Sequence, residues 1–219
     1  MTDIVNAIIE GFAAQSMAEW IAVILGVAYL VFAMRQSNLC WYAAFGSTAI
    51  FSWLFWDVSL VMESALNVYY LVMAVYGWWA WRSGSNSGGG AASNVDSTPL
   101  PVQSWGFKQH GLVLLAIAVL TFTSGYLLTE NTSAALPYLD SFTTWGAVIT
   151  TWMVTRKVLE NWIYWVVIDA VAIYLYIDRG LYPTAFLMAI YVVLAVGGFW
   201  LWLKDYRSQQ DDLALGQSA

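Results

Sequence analysis

One stretch of this chain occurs twice. Arg35, Trp41, Asp57, Leu60, Tyr70, Gly77, Trp79 and Trp81 return 121 positions later as Arg156, Trp162, Asp178, Leu181, Tyr191, Gly198, Trp200 and Trp202. The two copies align without a gap from about residue 19 to about residue 82. Both are strongly apolar. A duplicated apolar unit packs against its own copy about a pseudo-symmetry axis. That is the usual build of a secondary transporter, whose solute sits between the repeats.

Composition narrows the class. The 219 residues are 60% hydrophobic and 10% charged, whereas soluble domains carry about 25% charged residues. Too few polar atoms are present to cover a water-facing surface, so transmembrane helices are the direct reading. A net charge of −6 argues against a nucleic-acid partner. Cys40, the single cysteine, permits no internal disulfide, and His110, the single histidine, lies at a membrane boundary. No metal ligand set or cofactor motif is evident. GxxxxGK[ST], HExxH, CxxC and GxSxG are all missing, so an enzyme is not expected and ATP cannot energise transport. Asp3 and Glu10 stand where a secretory leader would be basic.

The expected fold is an all-α integral membrane protein. Seven apolar runs are long enough to span a bilayer: Met17–Met34, Cys40–Trp56, Leu60–Trp81, Gly111–Leu128, Phe142–Thr155, Asn161–Ile177 and Leu181–Leu203. The fifth is the shortest, and its Thr143, Thr144, Thr150 and Thr151 suggest a face packed on protein or lining a cavity. The basic residues set the orientation. With the N-terminus outside, Arg35, Arg82, Lys108, Arg156, Lys157, Lys204 and Arg207 fall on the cytoplasmic side, and only Arg179 falls outside. Each repeat has three helices, so two copies keep the same orientation only if one extra helix separates them. Gly111–Leu128 is that helix. The resulting plan is 3+1+3: an N-terminal segment (1–16), a first triple-helix repeat (17–82), a cytoplasmic loop (83–110), a linker helix (111–128), a second repeat (141–203) and a cytoplasmic tail (204–219). The loop is rich in Gly, Ser and Pro and reads as flexible. In the N-terminal segment Ile4, Ile8, Ile9 and Phe12 suggest a short amphipathic helix on the outer face.

Candidate solute contacts lie on two helical faces. Asn161, Trp165 and Asp169 are spaced i, i+4, i+8 and share one face. A carboxylate there suits a cationic aromatic solute, by charge pairing, ring stacking and hydrogen bonding. Equally, Asp169 could bridge to a neighbouring helix. Glu63, Asn67 and Tyr70 share a face of the third span, where an amide either bridges helices or binds solute. Trp53 and Thr48 belong to the second span, Trp53 as a vestibule candidate. The repeat sets Thr48 against Asp169, Trp53 against Tyr174, Asn67 against Met188 and Cys40 against Asn161. The backbone unit is duplicated and its polar chemistry is not, which fits an asymmetric solute.

Two segments carry a family resemblance. Tyr76-Gly77-Trp78-Trp79-Ala80-Trp81 closes the third span, and the run from Thr155 through Arg156, Lys157, Glu160 and Asn161 to Trp165 leads into the sixth. With these the chain resembles the PnuC family of bacterial vitamin transporters, similar in plan to full-length SWEET sugar transporters. The resemblance implies facilitated diffusion of a vitamin or precursor across the bacterial inner membrane, trapped inside by a cytoplasmic kinase. It also implies a homo-oligomer, a trimer in the family. Asn67 stands where the family's nicotinamide riboside pattern has Gln, and Asp169 where it has Asn. An acid suits nicotinamide riboside or thiamine, with thiamine slightly preferred because a carboxylate can bind its aminopyrimidine. A sugar carrier of the same plan, or a membrane subunit that binds without transporting, are the other readings.

Overall fold

The computed structural model describes residues 2–57, 61–83, 100–132 and 135–216. They form eight helices: α1 (Thr2–Ala13), α2 (Met17–Met34), α3 (Leu39–Asp57), α4 (Val61–Ser83), α5 (Phe107–Asn131), α6 (Pro137–Thr155), α7 (Asn161–Asp178) and α8 (Tyr182–Gly216). Five of them, α2, α3, α5, α7 and α8, are long and apolar enough to cross a membrane. The other two expected spans, α4 and α6, are 23 and 19 residues long. They fall short in hydropathy, not length: α4 carries Glu63, Asn67 and Arg82, and α6 carries Asp140 and a run of threonines.

Local chemistry sets several boundaries. Ser16 caps α2 in a reciprocal box: its hydroxyl accepts the Glu19 N–H and the Glu19 carboxylate accepts the Ser16 N–H. Pro137 starts α6 a turn earlier than the apolar run implies, since its fixed φ suits the first helical position. The linker helix likewise begins at Phe107, and α8 runs through the expected tail to Gly216. The amphipathic N-terminal helix exists as α1. It rests on α8, where a Cβ at Gly11 would sit 2.3 Å from Pro183 Cγ.

The loop expected between the third span and the linker divides. Residues 84–99 lie outside the described residues. Residues 100–106 are bound chain rather than free loop. Gln103 N–H donates to Lys157 O at 3.0 Å, Leu159 N–H donates to Gln103 O at 2.8 Å, and Val102 is buried. The Glu160 carboxylate accepts the Trp105 N–H and the Ser104 hydroxyl.

The repeat is legible in three dimensions, atom by atom. Both copies end their first helix in the same turn. Gln36 N–H bonds Ala33 O and Ser37 N–H bonds Phe32 O, while Lys157 N–H bonds Val154 O and Val158 N–H bonds Met153 O. Gln36 (φ 54°) and Lys157 (φ 50°) take the left-handed conformation that such a turn demands. In each copy a tryptophan then lies on a glycine of the third helix. A Cβ at Gly77 would come within 2.3 Å of the Trp41 ring, and one at Gly198 within 2.7 Å of Trp162.

The two copies also hold each other reciprocally. Trp81 Nε1 donates to Val154 O at 3.2 Å, and Trp202 Nε1 donates to Ala33 O at 3.0 Å. Each bond is the other shifted by 121 positions. The indoles of Trp41, Trp81, Trp202 and Trp162 follow one another with centroids 5.1, 6.1 and 5.4 Å apart, forming the main core with Ala33, Cys40, Val154 and Ala195. Helix contacts between the halves run through α2 against α8 and α4 against α6. α5 packs on α6, with Tyr138 over Gly125 and Trp145 Nε1 donating to Ser124 Oγ. Much of its remaining surface is apolar and exposed, as at Leu112, Leu115 and Phe122.

The glycine seats give a direct test. Gly77→Ala and Gly198→Ala should each destabilise the detergent-solubilised protein by about 1–3 kcal/mol, the usual cost of overpacking. Gly111→Ala, whose added carbon meets nothing within 4 Å, should not. Thermal unfolding of the three variants checks this.

Candidate functional site

Asp169 lies midway along α7 and is 6% exposed. Its charge is felt by Tyr70 of α4, Tyr176 of α7 and Tyr191 of α8. Tyr29 of α2 joins the group through Tyr70 and Tyr191. All four tyrosines are partly buried. Among the described residues α4 makes no direct backbone approach to α7 or α8. The titratable groups gathered in this region are one carboxylate and four phenols. Tyr70 and Tyr191 are repeat equivalents, so the cluster sits between the copies. The Tyr191 hydroxyl reaches so near α2 that a Cβ on Gly26 would lie 2.8 Å from it.

The other expected contacts scatter. Asn161, with no exposure, opens α7 and bonds back to the turn before it: its Nδ2 donates to Val158 O at 2.6 Å, and its Oδ1 is buried without a hydrogen bond. Two helical turns separate it from Asp169, at 1.5 Å per residue. Trp165 is partly buried against the four-indole core. Asn67 Nδ2 donates to Glu63 O, and the Thr48 hydroxyl donates to Ala44 O, so both engage their own helices. Glu63 is exposed, although Tyr176 feels its charge. Trp53 is 62% exposed. Of the eight expected residues, the structure thus gathers Asp169 and Tyr70.

Tyr29, Tyr176 and Tyr191 escaped the sequence reading. Tyr191 carried a signal, as the repeat partner of the candidate Tyr70. Tyr176 lies seven residues after Asp169, on nearly the same helical face. Tyr29 had no signal, because its repeat equivalent is Thr150.

The threonines of α6 divide: Thr144 is exposed and Thr143 half-buried. Thr150 and Thr151 are buried and the Thr151 hydroxyl donates to Ala147 O. A separate crevice between α5, α6 and α7 is lined by Leu114, Ile117, Phe142, Gly146, Val167 and Ile168 together with Ile163 and Tyr164. Its walls are almost wholly apolar, and Tyr164 spends its hydroxyl on His110 Nδ1 at 3.0 Å, so it offers little to a polar solute.

The chain as a whole is similar to known proteins. The sequence model of a family described as "Nicotinamide mononucleotide transporter" matches residues 16–204. The nicotinamide riboside transporter PnuC of Escherichia coli (strain K12) is 23% identical over 211 residues, covering 89% of this chain and 88% of that one. The riboflavin/roseoflavin transporter RibM of Streptomyces davaonensis is 24% identical over 190 residues, covering 85% of each. A crystal structure of the vitamin B3 transporter PnuC superposes with a TM-score of 0.70 at 19% identity, over 94% of this chain and 90% of that one, and so shares its fold.

Proposed function

The chain belongs to the nicotinamide mononucleotide transporter family, and on that premise we propose that it carries a cationic vitamin or vitamin precursor across the bacterial inner membrane by facilitated diffusion. The observation that carries this reading is the Asp169 carboxylate, buried between the two copies among Tyr29, Tyr70, Tyr176 and Tyr191. A carboxylate at the centre of a span costs about 3 kcal/mol. Among the described residues no Lys or Arg forms a salt bridge with it. A solute cation would fill that role, and phenol faces and hydroxyls suit an aromatic ring bearing a polar arm.

Nicotinamide riboside is the first candidate, since it joins a pyridinium cation to a ribose and is named in the PnuC of Escherichia coli. Thiamine is the second, favoured by Asp169 itself, whose carboxylate can accept from an aminopyrimidine. A neutral flavin would leave the buried charge unpaired, which is costly. A sugar would do the same.

The proposed carrier has the 3+1+3 plan, with α2–α4 and α6–α8 as parallel units joined by α5. It stands with its N-terminus outside, and the two units rock about the central site. A permanently charged solute neutralises Asp169 without a proton, so transport is passive, and phosphorylation by a cytoplasmic kinase gives it direction. Trp165, Asn161, Asn67, Thr48, Glu63 and Trp53 take supporting places along the path or in its walls.

Calorimetry on the purified protein decides the site. Nicotinamide riboside and thiamine should separate into one binder and one non-binder, and Asp169→Asn should weaken the binder at least tenfold, about 1.4 kcal/mol. Unchanged affinity in a folded variant removes Asp169 from the site. In liposomes, labelled solute should equilibrate with no imposed ion gradient and show counterflow from either side. Accumulation driven by a proton gradient alone would overturn the passive mechanism.

A further inference from the structure

The ends of α2, α4 and α6 and the starts of α3, α5 and α7 share one end of the bundle with Arg35, Arg82, Lys108, Arg156 and Lys204. At this end a buried cation stands where the two copies meet. Lys157 is 3% exposed. Its Nζ donates to Gln36 Oε1 at 3.1 Å and lies 4.6 Å from the Trp81 ring centroid. Lys157 and Gln36 are repeat equivalents, 121 positions apart, and meet across the pseudo-symmetry axis. Gln36 is held at both ends of its amide, because its Nε2 donates to Asp205 Oδ2 at 2.6 Å. The amide belongs to the first copy, Lys157 to the second, and Asp205 to the continuation of α8 just beyond it.

We propose that Gln36, Lys157 and Asp205 form a latch that closes the basic end of the carrier between its two copies. Given the transporter reading above, rocking the copies apart at this end must break both amide bonds, along with the reciprocal indole bonds of Trp81 and Trp202. The latch is built to yield. An ammonium among indoles is short of water, and burial pushes the Lys157 amine down to about 8. Opening would hydrate the cation and recover part of what the bonds contribute. An apolar pair here would close the end more firmly and give nothing back on opening.

The chain carries its own reporter. Cys40, its only cysteine, has no exposure, packs in the core that joins the copies, and lies within electrostatic reach of Lys157. Opening this end should expose it. The experiment is the rate of Cys40 labelling by a small maleimide on the purified full chain, with Cys40→Ala as background and thermal unfolding as the control for folding.

Gln36→Leu leaves the cation buried without its acceptor and should raise the labelling rate at least tenfold. Gln36→Leu combined with Lys157→Met removes both partners together and replaces them with apolar groups. It should return the rate to the wild-type value or below, because a missing pair costs far less than a broken one. Asp205→Ala, at the exposed edge of the network, should raise the rate at least threefold, and keeps the test informative if Gln36→Leu does not fold. Wild-type rates in the folded single variants overturn the latch. So does a double variant that labels faster than Gln36→Leu, since that is the additive pattern of general loosening. The labelling needs no solute. Failure of every vitamin to bind or cross would defeat the proposed function and leave the labelling result standing.

Discussion

The architecture depends on one contact made twice. In each copy a tryptophan near the start of the second helix lies flat on a glycine of the third, Trp41 on Gly77 and Trp162 on Gly198. A lipid-facing helix gains nothing by hiding apolar surface from lipid, so helices in a membrane associate through close packing and directed hydrogen bonds. The glycine supplies the close approach. A tryptophan one helical turn beyond the glycine, Trp81 or Trp202, supplies the directed bond by reaching to a carbonyl of the other copy. One sequence motif therefore builds the unit and also joins it to its twin. This accounts for why Trp41, Gly77 and Trp81 are among the residues the duplication retains, while most positions between them differ.

Symmetry in the scaffold leaves the interior free to be asymmetric. Tyr70 and Tyr191 form an equivalent pair, but Asp169 faces its cluster from one copy only, its counterpart being Thr48. The Thr48 hydroxyl is occupied by its own helix. A second acid at that position would place two like charges in one low-dielectric space, and one would have to be protonated. A single carboxylate avoids that penalty and leaves the two copies chemically unlike where they meet. The same economy appears at the basic end, where Gln36 and Lys157 meet as amide and ammonium. Two lysines at those positions would repel each other, and two glutamines would carry no charge to hydrate.

The repeat, the presence of a helix at each of the seven expected spans and the acid in the sixth were legible because each depends on residue type at a fixed spacing; five of those helices are apolar enough to cross a membrane. The helix boundaries from α2 through α4 and at α7 were legible within two residues for the same reason. What the sequence hid were features set by partners distant along the chain. Residues 100–106 look like the end of a flexible loop until Gln103 is seen bridging the turn at Lys157 and Leu159. Asn161 shares a helical face with Asp169, and periodicity alone assigns both to one site. The structure sets Asn161 at the first residue of α7, where its amide bonds back to Val158 O in the preceding turn. Periodicity places a residue on a face; it does not say how deep along that face the chemistry lies.

Depth separates Asp169 from the carboxylates near the ends of the bundle. A structural carboxylate would be expected to spend its oxygens on neighbouring donors, as Asp140 does with Arg179 at 2.5 Å near one end of the bundle. That pair is partly exposed and ties the start of α6 to the end of α7. Asp169 is more deeply placed, and among the described residues no salt bridge is made to it. Tyr70, Tyr176 and Tyr191, within electrostatic reach of it, offer hydroxyl hydrogens and π-faces but no charge. Such an environment stabilises a carboxylate weakly by itself and strongly once a cation enters between the rings. In the proposed carrier, a site incomplete without its solute would bind through the solute's own charge and release it when the enclosing side chains separate and water returns. That is what passive exchange requires: an interior that favours the bound cation enough to admit it and holds no fixed counter-charge that would compete for its place.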